Sequence, residues 1–319
     1  MRASIIFAAA CLAATAANAG GQLVKKTYVY KTVGDCPIEA DVYRADNDKV
    51  QPVVVWLQGG SLIIGSRHGA HGGLRNLCRK EEYILVSLDY RLAPEAKLPA
   101  IIEDIRDGFT WIRQKGPKLF HADPNKILVA GGSAGGYLTM MTGIAIEPRP
   151  TALLAYWGYG GFEAPWAKRP SPHHGKPDSL LPKAEMLKSV GGKVLTGSSG
   201  KTVEFKRRVS YYRMCRQTGT WAREVTGLDP DTQADKLRPY CPVRNITPAY
   251  PPILMIHGTA DTDVPYEESA AMARELARHK VPHELITIPN GGHGLGGGDK
   301  KLIAEAHARA LEFVKEQLK

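Results

Sequence analysis

The chain has 319 residues, 43% of them hydrophobic and 23% charged, the balance of an ordinary soluble enzyme with ample material for a large core. Its formal charge of +10 is uneven: residues 161–248 carry 16 Lys and Arg against 8 Asp and Glu. A solvated basic face, with Arg207 and Arg208 as contacts for an anionic polymer, is the expectation there rather than a nucleic-acid footprint, and no run of apolar residues is long enough to span a bilayer.

Residues 1–19 read as an export signal. Arg2 gives the positive start, Ile5 to Ala14 a short apolar run, and Ala17-Asn18-Ala19 a small-x-small cleavage site before Gly20. The expected location is therefore secreted or periplasmic. Removing this segment leaves Cys36, Cys78, Cys215 and Cys241, an even number that in an exported chain predicts two disulfides. Their gaps suggest Cys36–Cys78 and Cys215–Cys241 among three connectivities. No Cys-x-x-Cys pair occurs, which argues against zinc or redox chemistry.

Thr27–Tyr30 and Ile38–Tyr43 have β composition, and the second alternates Ile38, Ala40, Val42 with Glu39, Asp41, Tyr43. Val53–Leu57 and Ile84–Leu88 lack alternation and read as strands buried on both faces. Pro99 then opens a helix with Ile101, Ile102, Ile105, Phe109 and Ile112 on one stripe. Ile127–Ala130 and Ala152–Trp157 are further buried runs. From about 161 to 250 the pattern breaks into Pro, Gly, Lys and aromatics, with one helical candidate at Val203–Gln217; an insertion between two sheet strands is expected to form a cap. Regular alternation resumes with a strand at Pro252–His257, a helix at Tyr266–His279, a strand at Glu284–Ile288 and a helix at Lys300–Leu318. Strands alternating with helices predict an α/β fold with a mostly parallel central sheet flanked by helices and carrying a cap insertion.

The chemistry concentrates at Gly131-Gly132-Ser133-Ala134-Gly135, which follows a buried strand and precedes a helix-compatible run. A serine on so sharp a turn is exposed at the sheet's edge, and only small residues fit beside it. No Walker lysine follows, so a phosphate cradle is the weaker alternative. A serine hydroxyl needs a neutral imidazole to take its proton and a carboxylate to orient that imidazole. Asp261 follows the strand ending at His257, and His293 follows the strand ending at Ile288, giving the order Ser133, Asp261, His293. Asp263 is an alternative acid. His68, His71, His173 and His174 lack such a context and are expected on the surface or the cap. Gly59 and Gly60 after the third strand, with Ala134 after the serine, are the expected amide donors to a developing oxyanion.

Gln58-Gly59-Gly60-Ser61, Asp89-Tyr90-Arg91-Leu92-Ala93-Pro94-Glu95, Gly132-Ser133-Ala134-Gly135-Gly136, Asp261-x-x-Val264-Pro265 and Gly292-His293-Gly294 together resemble the hormone-sensitive-lipase-like esterases of the α/β-hydrolase superfamily. The resemblance covers about residues 35–160 and 250–318. It implies a metal-independent, cofactor-free carboxylic-ester hydrolase, commonly acting on short acyl chains, with Gly59, Gly60 and Ala134 as oxyanion donors. A small-molecule or acylated-carbohydrate ester is the expected partner. The sequence departs from the family at Gln58 and Ser61, where His-Gly-Gly-Gly is usual, and at Gly132, where Asp is usual. Gln58 could hold the loop through its amide, whereas Ser61 is disfavoured if its position needs a positive φ. Two other readings are a peptidase similar to the prolyl oligopeptidase catalytic domain and a non-catalytic binding module on the same fold.

Overall fold

A computed structural model describes residues 22–175 and 181–319, so the export signal read at residues 1–19 lies outside the described residues. Eight strands form one sheet: β1 (Leu23–Val33), β2 (Cys36–Ala45), β3 (Gln51–Leu57), β4 (Ile84–Leu88), β5 (Ala122–Gly132), β6 (Ala152–Tyr156), β7 (Ile253–Gly258) and β8 (His283–Ile288). Their spatial order is β1-β2-β4-β3-β5-β6-β7-β8. β1 and β2 form an antiparallel hairpin and β2 pairs antiparallel with β4; every pairing from β4 to β8 is parallel.

Period-two alternation sorts the strand side chains into two apolar layers. Val53, Val55 and Leu57 face one side with Ile101, Ile105 and Phe109 of α2 (Leu98–Phe120) and Leu138 and Met141 of α3 (Ala134–Ala145). Val54 and Trp56 face the other, with Leu74 and Cys78 of α1 (Gly72–Glu81) and Ala310 and Phe313 of α10 (Lys300–Leu318). Between β6 and β7 the insertion folds into α4 (Pro165–Lys168), α5 (Lys183–Met186), α6 (Val203–Thr218), α7 (Trp221–Thr226) and α8 (Ala234–Leu237). Trp221, Val225 and Cys215 join it to the first layer, as do Met272 and Leu276 of α9 (Glu267–Arg278).

Two expectations are corrected here. The four cysteines of the described chain are free thiols, all buried. Cys36 has the strand parity of Ala40 and Val42, which face the α2 layer, while Cys78 lies in the opposite layer; the sheet stands between them. Cys215 sits in the core beside α7, whereas Cys241 donates to the Leu237 carbonyl at 3.4 Å and packs on Gly161. Burial pushes the Cys215 thiol up to about 12 and that of Cys241 to about 11, which suppresses thiolate reactivity. Alkylation without reductant is therefore expected to label all four cysteines in denaturant and almost none in the native protein; paired masses for Cys36–Cys78 or Cys215–Cys241 would contradict the packing.

The second concerns Arg207 and Arg208. Arg208 is fully buried and its guanidinium grips Glu95, while Arg207 pairs with Glu185 and reaches Ser189, so neither is a free contact for a polymer. Arg216, Arg223 and Arg244 are likewise paired, with Asp263, Asp229 and Glu163. Of these five arginines only Arg208 and Arg216 pair with carboxylates outside the insertion, and Lys193, Lys201, Lys206 and Arg213 remain exposed.

Candidate active site

Parallel strands release their loops at a common edge, and four of those loops meet here. β5 ends at Gly132 and α3 begins at Ala134, leaving Ser133 alone on the turn with φ 57° and ψ −123°. The flanking glycines are required by contact: a Cβ at Gly131 would sit 2.4 Å from the Gly135 carbonyl oxygen, and one at Gly135 would sit 2.1 Å from that of Leu57. The Tyr156 carbonyl accepts from the Ser133 N–H at 2.9 Å, tying the turn to β6.

The loop after β8 brings His293 Nε2 to 3.0 Å from Ser133 Oγ, in position to accept its proton. On the other side of the ring, Nδ1 donates to Asp261 Oδ2 at 2.8 Å. Asp261 is buried and held by its own turn, with Oδ1 accepting from the Asp263 and Val264 N–H groups at 2.9 Å each. His257 Nε2, 3.2 Å from Asp261 Oδ2 and 3.0 Å from the Val264 carbonyl, faces two acceptors and is therefore a donor. Burial alone would raise the Asp261 pKa, but the hydrogen bonds from His257 and His293, the His293 charge and the Val264 amide pull it far below the ordinary value. For His293 burial opposes the charge, yet the Asp261 hydrogen bond and the charges of Asp261 and Asp263 win, and its pKa is raised.

Gly59, after β3, packs directly on the serine; a Cβ there would come 2.7 Å from the Gly132 carbonyl oxygen and 3.4 Å from Ser133 Cβ. Gly60 adopts φ +106°, and its carbonyl accepts from Ile63 and Ile64 N–H at 2.9 Å, so the loop folds back on itself. Ala134 is the first residue of α3, where an N–H has no intrahelical partner. Ser61 has φ 58° and Leu62 φ 63°, the left-handed region that Ser61 was expected to resist. The strain is offset from the insertion and the loop after β4: Trp221 Nε1 donates to the Ser61 carbonyl at 3.1 Å, and Ala93 N–H to that of Leu62 at 2.8 Å. The Gln58 carboxamide is buried and bonds to nothing among the described residues, so it does not hold the loop; the Gln58 main-chain carbonyl does, accepting from Tyr90 Oη at 2.8 Å.

Sequence reasoning missed a second tier. His174, placed on the surface or the cap with no role, lies in the insertion and donates from Nε2 to Asp263 Oδ1 at 2.9 Å, and Arg216 reaches the same oxygen at 3.0 Å together with the Tyr212 hydroxyl. Asp263 faces Nε2 of His293 rather than Nδ1, with Oδ2 3.7 Å away, so the two carboxylates of this turn bracket the imidazole from opposite sides. His71 is half-buried rather than on the surface or the cap; its ring stacks on Tyr156 with centroids 5.4 Å apart. No group of side chains suited to a metal ion occurs among the described residues, and none of their helices is long and apolar enough to cross a membrane.

Residues 54–296 match the family described as alpha/beta hydrolase fold. The chain belongs to the alpha/beta hydrolases. Within them it falls in the hormone-sensitive-lipase-like group that its motifs resemble. It is 27% identical to the esterase LipC of Mycobacterium tuberculosis over 312 residues, 91% of this chain and 66% of that protein. It is 26% identical to the non-reducing polyketide synthase atr1 of Stereocaulon alpinum over 301 residues, 84% of this chain and 12% of the synthase. The chain thus spans only part of the length of these relatives. Among solved structures, a Staphylococcus aureus protein of unknown function superposes with a TM-score of 0.72 at 21% identity, covering 93% of this chain and 100% of that one. That likeness concerns the alpha/beta hydrolase fold alone.

Proposed function

We propose that the protein is a serine carboxylic-ester hydrolase acting on acetyl or other short acyl esters through an acyl-enzyme. The observation that carries this reading is the continuous hydrogen-bonded line Ser133 Oγ, His293 Nε2, His293 Nδ1, Asp261 Oδ2 at the edge of an alpha/beta hydrolase sheet. Ser133 Oγ attacks the ester carbonyl carbon as its proton passes to Nε2, and the carbonyl electrons move onto oxygen. The N–H groups of Gly59, Gly60 and Ala134 receive that oxyanion. Collapse breaks the bond to the alcohol oxygen, which takes the Nε2 proton and leaves the acyl group on Ser133. Water, deprotonated by Nε2, then releases the acid.

The helical insertion at about 161–250 serves as the cap in this reading, since Tyr212 and Arg216 of α6 reach the turn that carries Asp261. Export to the periplasm or medium is part of the same proposal and rests on Arg2, the apolar run and Ala17-Asn18-Ala19.

Turnover of p-nitrophenyl acetate and butyrate, with no release from peptide p-nitroanilides, is the expected result. Peptide cleavage without ester cleavage would instead favour a peptidase, and no turnover of either would favour a binding module.

The pH dependence has a definite sign. Neutral His293 is the base and its pKa is raised, so kcat/KM rises with pH along a limb whose midpoint lies above about 6.5. Stability moves the other way. A raised folded-state pKa contributes stabilisation that is complete below the unfolded value and lost as pH rises through the folded one. A pH–rate profile with its acid limb below the ordinary histidine range would contradict the assignment.

A further inference from the structure

Asp263 is held like a site residue rather than a strut. All its side-chain donors converge on one oxygen: His174 Nε2 at 2.9 Å, Arg216 Nη1 at 3.0 Å and the Tyr212 hydroxyl reach Oδ1. The other oxygen, Oδ2, is turned toward His293 Nε2, 3.7 Å away, and the side chain keeps 23% of its surface open. Burial would raise its pKa, but the His174 hydrogen bond, the His293 and Arg216 charges and the Tyr212 hydroxyl hold it below the ordinary aspartate value, so it is ionised at neutral pH. The ring Asp263 faces is the one that hands a proton to the departing alcohol.

That proton transfer fixes where the alcohol lies. Its oxygen must come within about 3 Å of Nε2. Oδ2 is 3.7 Å from the same nitrogen, so the alcohol oxygen and Oδ2 are at most about 6.7 Å apart, a span that a hydroxyl on the next carbon can bridge with one hydrogen bond to the carboxylate. We propose that Asp263 is a specificity-determining residue for the alcohol side of the ester, selecting alcohols that carry a free hydroxyl beside the acylated one, as in monoacylated glycols and sugars, and rejecting anionic alcohols. The inference rests on the ester-hydrolase reading and adds the leaving-group class to it. A hydroxyl donating to a carboxylate is worth roughly ten- to a hundredfold in selectivity over a methyl group of the same size.

The test uses esters that share the acetyl group and differ only in the alcohol: 2-hydroxyethyl acetate, its isostere propyl acetate, and anionic acetoxyacetate. Wild-type kcat/KM is expected to fall in that order, with roughly ten- to a hundredfold between the first two. Asp263→Asn is expected to bring the hydroxyethyl-to-propyl ratio toward one and to improve acetoxyacetate relative to propyl acetate. Because each ratio is taken within one protein, a general loss of activity cancels. A residue that merely anchors α6 would lower all three esters together and leave the ratios unchanged, which overturns the inference. So does a wild-type hydroxyethyl-to-propyl ratio of one alongside good turnover of p-nitrophenyl acetate, and the wild-type order decides even if the variant does not fold. Failure to turn over any acetate ester, p-nitrophenyl acetate included, overturns the ester-hydrolase reading and this inference with it.

Discussion

Ser133→Ala is expected to lower kcat on p-nitrophenyl acetate by on the order of 10^6 while leaving the fold intact. Oγ is the only heavy atom removed, and among the described residues its side-chain hydrogen bond is to His293 Nε2. The turn itself is set by glycine contacts and by the Ser133 N–H bond to Tyr156, which alanine retains. The variant should therefore melt within about 1 kcal/mol of the parent by urea titration, as surface-level substitutions do. A variant that kept a tenth of the activity would place the nucleophile elsewhere.

Arg208→Met is expected to be the most damaging single change to stability, at about 3–5 kcal/mol in urea unfolding. Arg208 has no exposed side-chain surface and Glu95 only 2%, so removing the cation strands a buried carboxylate. The guanidinium also donates to the carbonyls of Ile63 at 2.8 Å, Ala93 at 2.5 Å and Ser189 at 3.1 Å, and all three lose that donor in the variant. Ile63 belongs to the loop that carries Gly59 and Gly60, and Ala93 N–H braces the strained Leu62. The surviving folded fraction should accordingly lose kcat more than it gains in KM, because a loosened donor loop fails at the oxyanion rather than at substrate binding. Unchanged stability would mean that the insertion is not fastened to the sheet through this pair.

The two predictions show unequally how much the sequence disclosed. Ser133, Asp261 and His293 lie each at the end of a strand with a strong apolar signature, so strand recognition alone lined up their loops. Gly131 was readable because only small residues fit beside the serine, and Gly59 because it follows a buried strand; a Cβ at either would meet backbone. Arg208 was misread as surface charge because α6 puts arginines where a periodic apolar stripe would be sought, and its partner Glu95 lies 113 positions away. The disulfide expectation failed through geometry that composition cannot carry. Cys78 lies on α1, whose Gly72-Gly73 start and three buried residues give too little pattern to predict a helix, and so the side of the sheet that it occupies was hidden. Ser61 shows a third kind of gap. Its left-handed backbone is held by Trp221 from the insertion, a contact 160 positions distant.

The central claim is that Ser133 carries the acyl group between the two halves of the reaction. Acid-quenching the protein milliseconds after mixing with excess p-nitrophenyl acetate, then mapping its peptides by mass spectrometry, tests this directly. The account predicts one acetyl group on the peptide containing Ser133, absent in Ser133→Ala. Steady ester turnover with no acetyl on that peptide, or with the acetyl on another residue, would contradict it.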